Sequence, residues 1–223
     1  MLELKSAVLD IAADVMEFRD MGAGGHAART RKYLELLIQT MRAERVYYAE
    51  VVSWNLDLLL ASSRLHDIGK IAVSDAVLNK PDKLTREEFE KMKTHVPIGV
   101  AIIERIEKST GGNAFLNHAK YITATHHEKW DGTGYPYMLQ KREIPLEGRL
   151  MAIADVYDAL TSRRPYKEPI PTGEAEEIIV QGEGTHFDPA LVEVFRLVSA
   201  QFADIVDDEL TARDDDDRRI LTG

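Results

Sequence analysis

The sequence predicts an all-α fold, a single helical domain, and three observations carry that prediction. Apolar residues recur at spacings of three and four through most of the chain, so successive segments each carry one apolar stripe when wound as helices. Strand signals are weak: no hairpin dipeptide lies between alternating segments, and no repeat of fixed period is present. No Ser/Gly-rich linker divides the 223 residues, a length that suits one full-sized core.

Taken in order, the first stripe spans residues 2–18, with Leu4, Val8, Ile11, Ala12, Val15 and Phe18 on one side, and Gly22, Gly24 and Gly25 end it. Residues 1–20 therefore read as a connector-like helix, which either pairs two protomers into a homodimer or packs on its own domain. A second helix is expected over 27–42, turning Tyr33, Leu34, Leu37, Ile38 and Met41 inward. A third is expected over 47–66, with Trp54 and its neighbouring leucines in the core. Thr85-Arg86-Glu87-Glu88 has the form of a capping box, in which a Thr oxygen and a Glu carboxylate satisfy free amides at a helix start. Further helices are expected over 97–108, 114–127, 149–161, 172–181 and 189–207. Asp188 as N-cap and Pro189 in the first helical position begin the last of them. The stretches 68–84 and 129–148 carry Gly and Pro and read as irregular. The main domain is then 21–208, and residues 209–223, around Asp214 to Asp217, form an acidic, solvated and frayed tail.

Composition excludes several function classes. Lys and Arg number 28 against 38 Asp and Glu, a formal net charge of -10. Such a surface repels phosphate backbones, which argues against DNA or RNA as a partner. A polyanionic substrate has to be held locally, by metal ions or a few placed cations. The chain has no cysteine, which removes disulfides, thiolate metal sites and cysteine nucleophiles. No apolar run approaches the ~20 residues that cross a bilayer, and the N-terminus lacks the basic start of a signal peptide. The expectation is a cytoplasmic protein without a membrane partner.

Three neighbourhoods carry chemistry. His66-Asp67 and His126-His127-Glu128 each end a predicted helix, and Asp155 lies in the otherwise apolar stretch 151–160, one turn before Asp158. A carboxylate in an apolar helix is costly unless it is paired or metal-bound. Adjacent residues on a helix point about 100° apart, so both members of a doublet rarely reach one ion, but both can serve a pair of ions bridged by a carboxylate. The alternative for each doublet is a helix cap or a satisfied polar group. Imidazole and carboxylate without sulfur suit iron, manganese, nickel or zinc over copper(I).

A longer pattern joins these pieces. His66-Asp67-Ile68-Gly69-Lys70, followed by His126-His127-Glu128-Lys129-Trp130-Asp131-Gly132-Thr133-Gly134-Tyr135-Pro136, resembles the HD-GYP family of the HD phosphohydrolase superfamily. His95 within Lys93–Gly99, the segment Ile153–Thr161, Arg164-Pro165-Tyr166-Lys167 and Gly184–Pro189 follow the same pattern in the same order, so that the resemblance spans residues 18–195. It implies a helical HD-type domain with a metal site in its core, and hydrolysis of the bacterial messenger cyclic di-GMP to linear pGpG and onward to GMP. Position by position it gives the metal ligands His26, His66, Asp67, His95, His126, His127 and Asp155, with Asp67 as the bridge. It implies two divalent transition-metal ions, Fe or Mn, with Zn or Ni also admitted, that lower the pKa of a bridging water to give the attacking hydroxide. Asp67 and Lys70 are then catalytic, with Lys70 reaching a phosphate oxygen. Lys70 or a metal-held water protonates the leaving group, and Arg164 and Lys167 clamp the phosphates. Asp131, Gly132, Gly134, Tyr135 and Pro136 form a tight turn that, in the family reading, is a lip over the site and a surface for partners such as GGDEF-type diguanylate cyclases. An upstream receiver domain is a further family partner.

One departure stands out. Some members have a Glu four residues before the first histidine, where it holds a third metal; here Gly22 replaces it, so two metals are expected, unless Glu17 or Asp20 reaches in by another backbone path. His118 is expected to be structural, and His186 to pack or cap the last helix. Trp130 either stacks on a guanine or packs under the loop. The competing readings are a slow cyclic di-GMP sensor, and a phosphodiesterase for a related cyclic dinucleotide such as 3′,3′-cGAMP.

Overall fold

A computed structural model of the chain describes residues 11, 15–16, 18–20, 25–163 and 168–222, with side chains through residue 208. Helix α1 (His26–Ala43) follows Gly25, whose φ of 76° is a left-handed turn that glycine adopts without steric cost. It buries the five apolar residues that the periodicity selects, together with His26, Arg29 and Thr30. The core forms where α1 meets α8 (Leu146–Thr161) and α10 (Pro189–Thr222). Tyr33 stacks on Phe202 with ring centres 4.3 Å apart, and Tyr157 meets Phe195 and Phe202 at 5.7 and 5.1 Å. These geometries suit the ring quadrupoles and add to the burial of large apolar area. Helix α8 is buried over most of its circumference, as its apolar run 150–154 requires, and its buried Glu147, Arg149 and Asp158 are each paired.

The stretch predicted as one helix over 47–66 is broken. It consists of α2 (Tyr48–Val51), α3 (Leu56–Ser62) and a 3₁₀ turn, Ser63–Leu65. The Asn55 side chain accepts from the Leu58 amide at 3.2 Å and restarts the helix there. The Arg42 guanidinium takes up the free carbonyls of Val51 and Trp54, so the break leaves no orphaned acceptor at that point. A second 3₁₀ turn, Ile68–Ala72, and α4 (Asp75–Leu78) occupy the stretch expected to be irregular. Helix α5 (Arg86–Lys93) opens with the predicted capping box, both of its bonds present. Helix α6 (His95–Thr110) starts two residues before the expected 97, because Pro97 falls within the first turn, where amides have no helical acceptor.

Helix α7 (Ala114–Thr125) stops two residues short of the expected 127, leaving His126 and His127 beyond its end. After a 3₁₀ turn, Lys141–Glu143, come α8, α9 (Thr172–Gln181) and α10. Asp188 caps α10 through the Ala190 amide at 3.0 Å and also accepts from Arg149 and Tyr47. The backbone of α10 continues to Thr222, past the expected end at 207, and among the described side chains Val206 is its last core residue. Among the described residues there is no β-strand, only one isolated bridge between Glu183 and Phe187. No helix among them is long and apolar enough to cross a membrane.

Candidate metal centre

Five elements deliver the site. His26 opens α1, His66 and Asp67 lie between the two 3₁₀ turns, His95 opens α6, His126 and His127 follow α7, and Asp155 lies within α8. Gly69 makes this convergence possible. A Cβ there would lie 1.9 Å from the His95 carbonyl oxygen and 2.5 Å from the Gly99 amide nitrogen, so only glycine lets the turn carrying Asp67 lie against the helix carrying His95.

The ligand atoms of Asp67, His95, His126 and His127 lie within 4.8 Å of one another, and so do those of His26, His66 and Asp67. Asp67 belongs to both groups. Its Oδ2 faces His66 Nε2 at 3.3 Å, while its Oδ1 faces His95 Nε2 at 3.4 Å and His126 Nε2 at 3.8 Å. Asp155 joins the first group through His26 Nε2 at 3.7 Å. All seven ligands expected from sequence therefore converge.

The tautomers suit metal binding. Nδ1 of His66 donates to the Ser63 carbonyl, Nδ1 of His95 to the Met92 carbonyl, and Nδ1 of His126 to the Ile122 and Thr123 carbonyls. His26 Nδ1 bonds the Asp158 carboxylate at 2.7 Å. Fixing the proton on the outer nitrogen turns each Nε2 lone pair into the site. Asp67 Oδ1, His95 Nε2 and His126 Nε2 are buried without a hydrogen-bond partner, a cost that a native site bears only when something else binds there. Acceptors aimed at acceptors call for a positive centre, and the donor set fits metal cations.

Electrostatics agree. Burial, with His66 nearby, pushes the His126 pKa down to about 3. Burial and the neighbouring imidazoles hold His127 well below the ordinary histidine value. Burial also lowers His95. These rings are neutral at pH 7, as metal ligands must be. Burial opposes the charge on Asp67, but Lys70 and His66 outweigh it and hold the carboxyl well below the usual range. Burial likewise opposes the charge on Lys70, whose pKa is nonetheless raised by Asp67 and Asp20. Its ammonium sits 2.8 Å from both carboxylates.

The turn after His127 folds back on the site. Tyr135 stacks on the His127 ring at 4.7 Å. Asp131 accepts from the Thr133 amide and hydroxyl, and Gly132 takes a left-handed φ of 83°. Gly134 lies flush on the chain, since a Cβ there would sit 2.3 Å from the Lys129 nitrogen. Pro136 follows with a cis peptide bond. The buried Glu128 carboxylate anchors the far side of the turn by accepting from the amides of Tyr137 and Leu139 at 2.7 and 3.1 Å.

Other expectations sort cleanly. His118 pairs with Glu147 at 2.9 Å and meets the Trp54 ring edge, outside both ligand groups. His186 stacks on Phe187, with burial and Lys129 pushing its pKa down to about 4. Trp130 packs near the Arg149 guanidinium, 5.9 Å away. Gly22, Glu17, Arg164 and Lys167 lie outside the described residues. Sequence reasoning left Asp158 and Arg29 out of the site. Asp158 is buried and holds both His26 and the Arg29 guanidinium. The signal was present: a second carboxylate one turn after Asp155 in an apolar helix, facing an arginine one turn after His26. Asp20 appears as a partner of Lys70, not in either ligand group.

Comparisons with known proteins bear on this arrangement. The family model described as "HD domain" matches residues 11–191. A protein of Vibrio cholerae named cyclic di-GMP phosphodiesterase is 47% identical over 89% of this chain and 40% of its own length. A Thermotoga maritima protein of the same name is 38% identical over 89% of the chain and 50% of its length. A Vibrio cholerae 3′3′-cGAMP-specific phosphodiesterase is 40% identical over 82% of the chain and 32% of its length. The chain thus spans half or less of the length of these relatives. The solved structure of Bd1817, an HDG"Y"P protein from Bdellovibrio bacteriovorus, aligns with a TM-score of 0.54 at 17% identity, covering 82% of this chain and 51% of that one. At that identity the likeness is one of fold.

Proposed function

Because the chain belongs to the HD-domain family, we propose that its convergent histidines and carboxylates hydrolyse a cyclic dinucleotide, cyclic di-GMP, to linear pGpG. The observation that supports this reading is the inward convergence of the seven candidate ligands, with Asp67 shared by both groups. The donor set supports two divalent ions, and Fe or Mn suits these imidazole and carboxylate donors. When bound, such ions polarise the phosphoryl group and make hydroxide available at neutral pH.

The chain's own residues supply the rest. His26 and His66 with Asp155 hold one side, and His95, His126 and His127 hold the other. Lys70, kept cationic by Asp67 and Asp20, places fixed positive charge where charge grows on the phosphoryl oxygens. Arg164 and Lys167 complete the phosphate-binding set in this reading.

The test is conversion of cyclic di-GMP by anaerobically metal-loaded protein, with multiple turnovers to pGpG expected. Binding without turnover would replace the enzyme by a sensor. The relative named for 3′3′-cGAMP supports a parallel assay on that dinucleotide, and exclusive turnover there would reassign the substrate.

A further inference from the structure

Helix α5 buries none of its side chains, yet it is held firmly by its capping box and by Lys80, whose ammonium lies 2.6 Å from Glu88. Only Met92 packs on a small apolar cluster, that of Val73, Val77 and Leu78, and the helix leads directly into His95 of the metal group. Its inner edge carries Phe89, 45% exposed, with the ring edge-on to Tyr135 at 6.0 Å. Tyr135 in turn lies on His127. The Lys93 ammonium stands 5.5 Å from the Phe89 ring centre and 5.7 Å from that of Tyr135. Its other contact is Glu90 at 2.7 Å, an exposed pair of the kind that contributes little and yields to a competing ligand.

We propose that Phe89 and Lys93 seat one guanine base of the substrate, the ring stacking on the base and the ammonium facing its O6/N7 edge. This rests on the reading of the chain as a cyclic-dinucleotide phosphodiesterase. Three physical points support it. A half-exposed aromatic ring beside a phosphodiester site offers the flat apolar platform on which a base stacks whatever its identity. A cation beside that platform is selective: guanine presents two acceptors, O6 and N7, whereas adenine places its N6 amino donor next to N7. On a chain of net charge -10, a lysine held over two rings at the rim of an anion-binding site is well placed for a nucleotide. The seat thus discriminates guanine from adenine, which the metals and phosphate-binding cations cannot.

Kinetics and binding on Phe89→Leu, Phe89→Trp and Lys93→Gln test it, with metal content measured for each. Phe89→Leu should raise KM for cyclic di-GMP about tenfold, the size of one lost stacking contact, with metal content unchanged, and Phe89→Trp should restore binding. Lys93→Gln should erode the preference for cyclic di-GMP over cyclic di-AMP, and for pGpG over pApA in calorimetric binding. With 3′,3′-cGAMP, which offers one guanine, the native chain should give one of the two linear products in excess, and Lys93→Gln should bring them closer to equal. Native-like KM and preferences in both Phe89→Leu and Lys93→Gln, in a protein that does turn over cyclic di-GMP, would overturn the seat and leave the proposed reaction standing. Failure of the native chain to turn over either dinucleotide would strike the proposed reaction instead, and the pGpG and pApA binding would then decide the seat alone.

Discussion

The Nε2 atoms of His26 and His66 face each other across 3.1 Å, while the Nδ1 of each ring is tied behind it, to Asp158 at 2.7 Å and to the Ser63 carbonyl at 2.8 Å. With both Nδ1 atoms committed, that gap takes one positive centre, either a proton, which the Asp67 carboxylate favours on His66, or a metal ion. This geometry makes the two halves of the site unequal in their dependence on single residues. His26 serves one ligand group and Asp67 serves both. His26→Ala should leave about one equivalent of metal after reconstitution, and Asp67→Ala should leave close to none, with turnover lost in both. Elemental analysis checks this, and an Asp67→Ala protein retaining both ions would refute the bridge.

Asp158 acts on the site from one layer out. It orients His26 and neutralises Arg29, and both members of the Arg29–Asp158 pair are buried. Asp158→Asn keeps an oxygen acceptor but removes the charge. Metal affinity at the His26 side should fall about 10–100-fold. Removing that charge from beside the buried Arg29 guanidinium should also cost about 3–5 kcal/mol of stability. Metal titration and chemical denaturation read the two effects separately, and an unaltered titration would show that Asp158 only stabilises the fold.

Gly69→Ala tests the close approach. Its Cβ would overlap the His95 carbonyl and the Gly99 amide, both of them backbone, so relief requires the Asp67 turn and α6 to move apart. Overpacking of this kind costs about 1–3 kcal/mol, and here it also separates Asp67 from His95. Metal binding should weaken more than thermal stability falls. A variant with native metal affinity would mean that the two elements need not touch.

Much of this was legible in the sequence because helical periodicity reports burial. The inward residues of α1 were identifiable one by one, and the box at Thr85 and the cap at Asp188 named their helix starts. The doublets His66-Asp67 and His126-His127 stood out as candidates on their own, whereas His26 and His95 entered only through the resemblance to the HD-GYP family, because a lone histidine carries no spacing signal. The break within 47–66 was not legible, because the restart at Asn55 depends on Arg42, a residue thirteen positions away that collects the freed carbonyls. Nor was the role of Asp20, whose meeting with Lys70 spans fifty positions and leaves no periodic trace. Local pattern names elements and ligands; the partners that orient them are set by packing.

The last prediction concerns that meeting. Arg19 is strapped to the turn that carries Lys70: its guanidinium donates to the carbonyls of Lys70, Ile71 and Val73 and pairs with Asp75. Asn79 donates to the Arg19 carbonyl. Asp20 is thereby held against the Lys70 ammonium, which it shares with Asp67. Asp20→Asn removes one negative charge, so the ammonium leans on Asp67 Oδ2, the oxygen that also faces His66, and competes there with a metal ion. Lys70→Ala does the reverse, since it removes the cation that Asp67 and Asp20 share. Both substitutions should lower kcat, because both remove or displace the fixed positive charge beside the phosphoryl group. Their effects on metal affinity should have opposite signs, weaker for Asp20→Asn and tighter for Lys70→Ala, each by about tenfold, as expected for one partly screened unit charge. Metal titration of the two variants side by side is the measurement, and shifts in the same direction would mean that Asp20 supports the turn without setting the charge balance at Asp67.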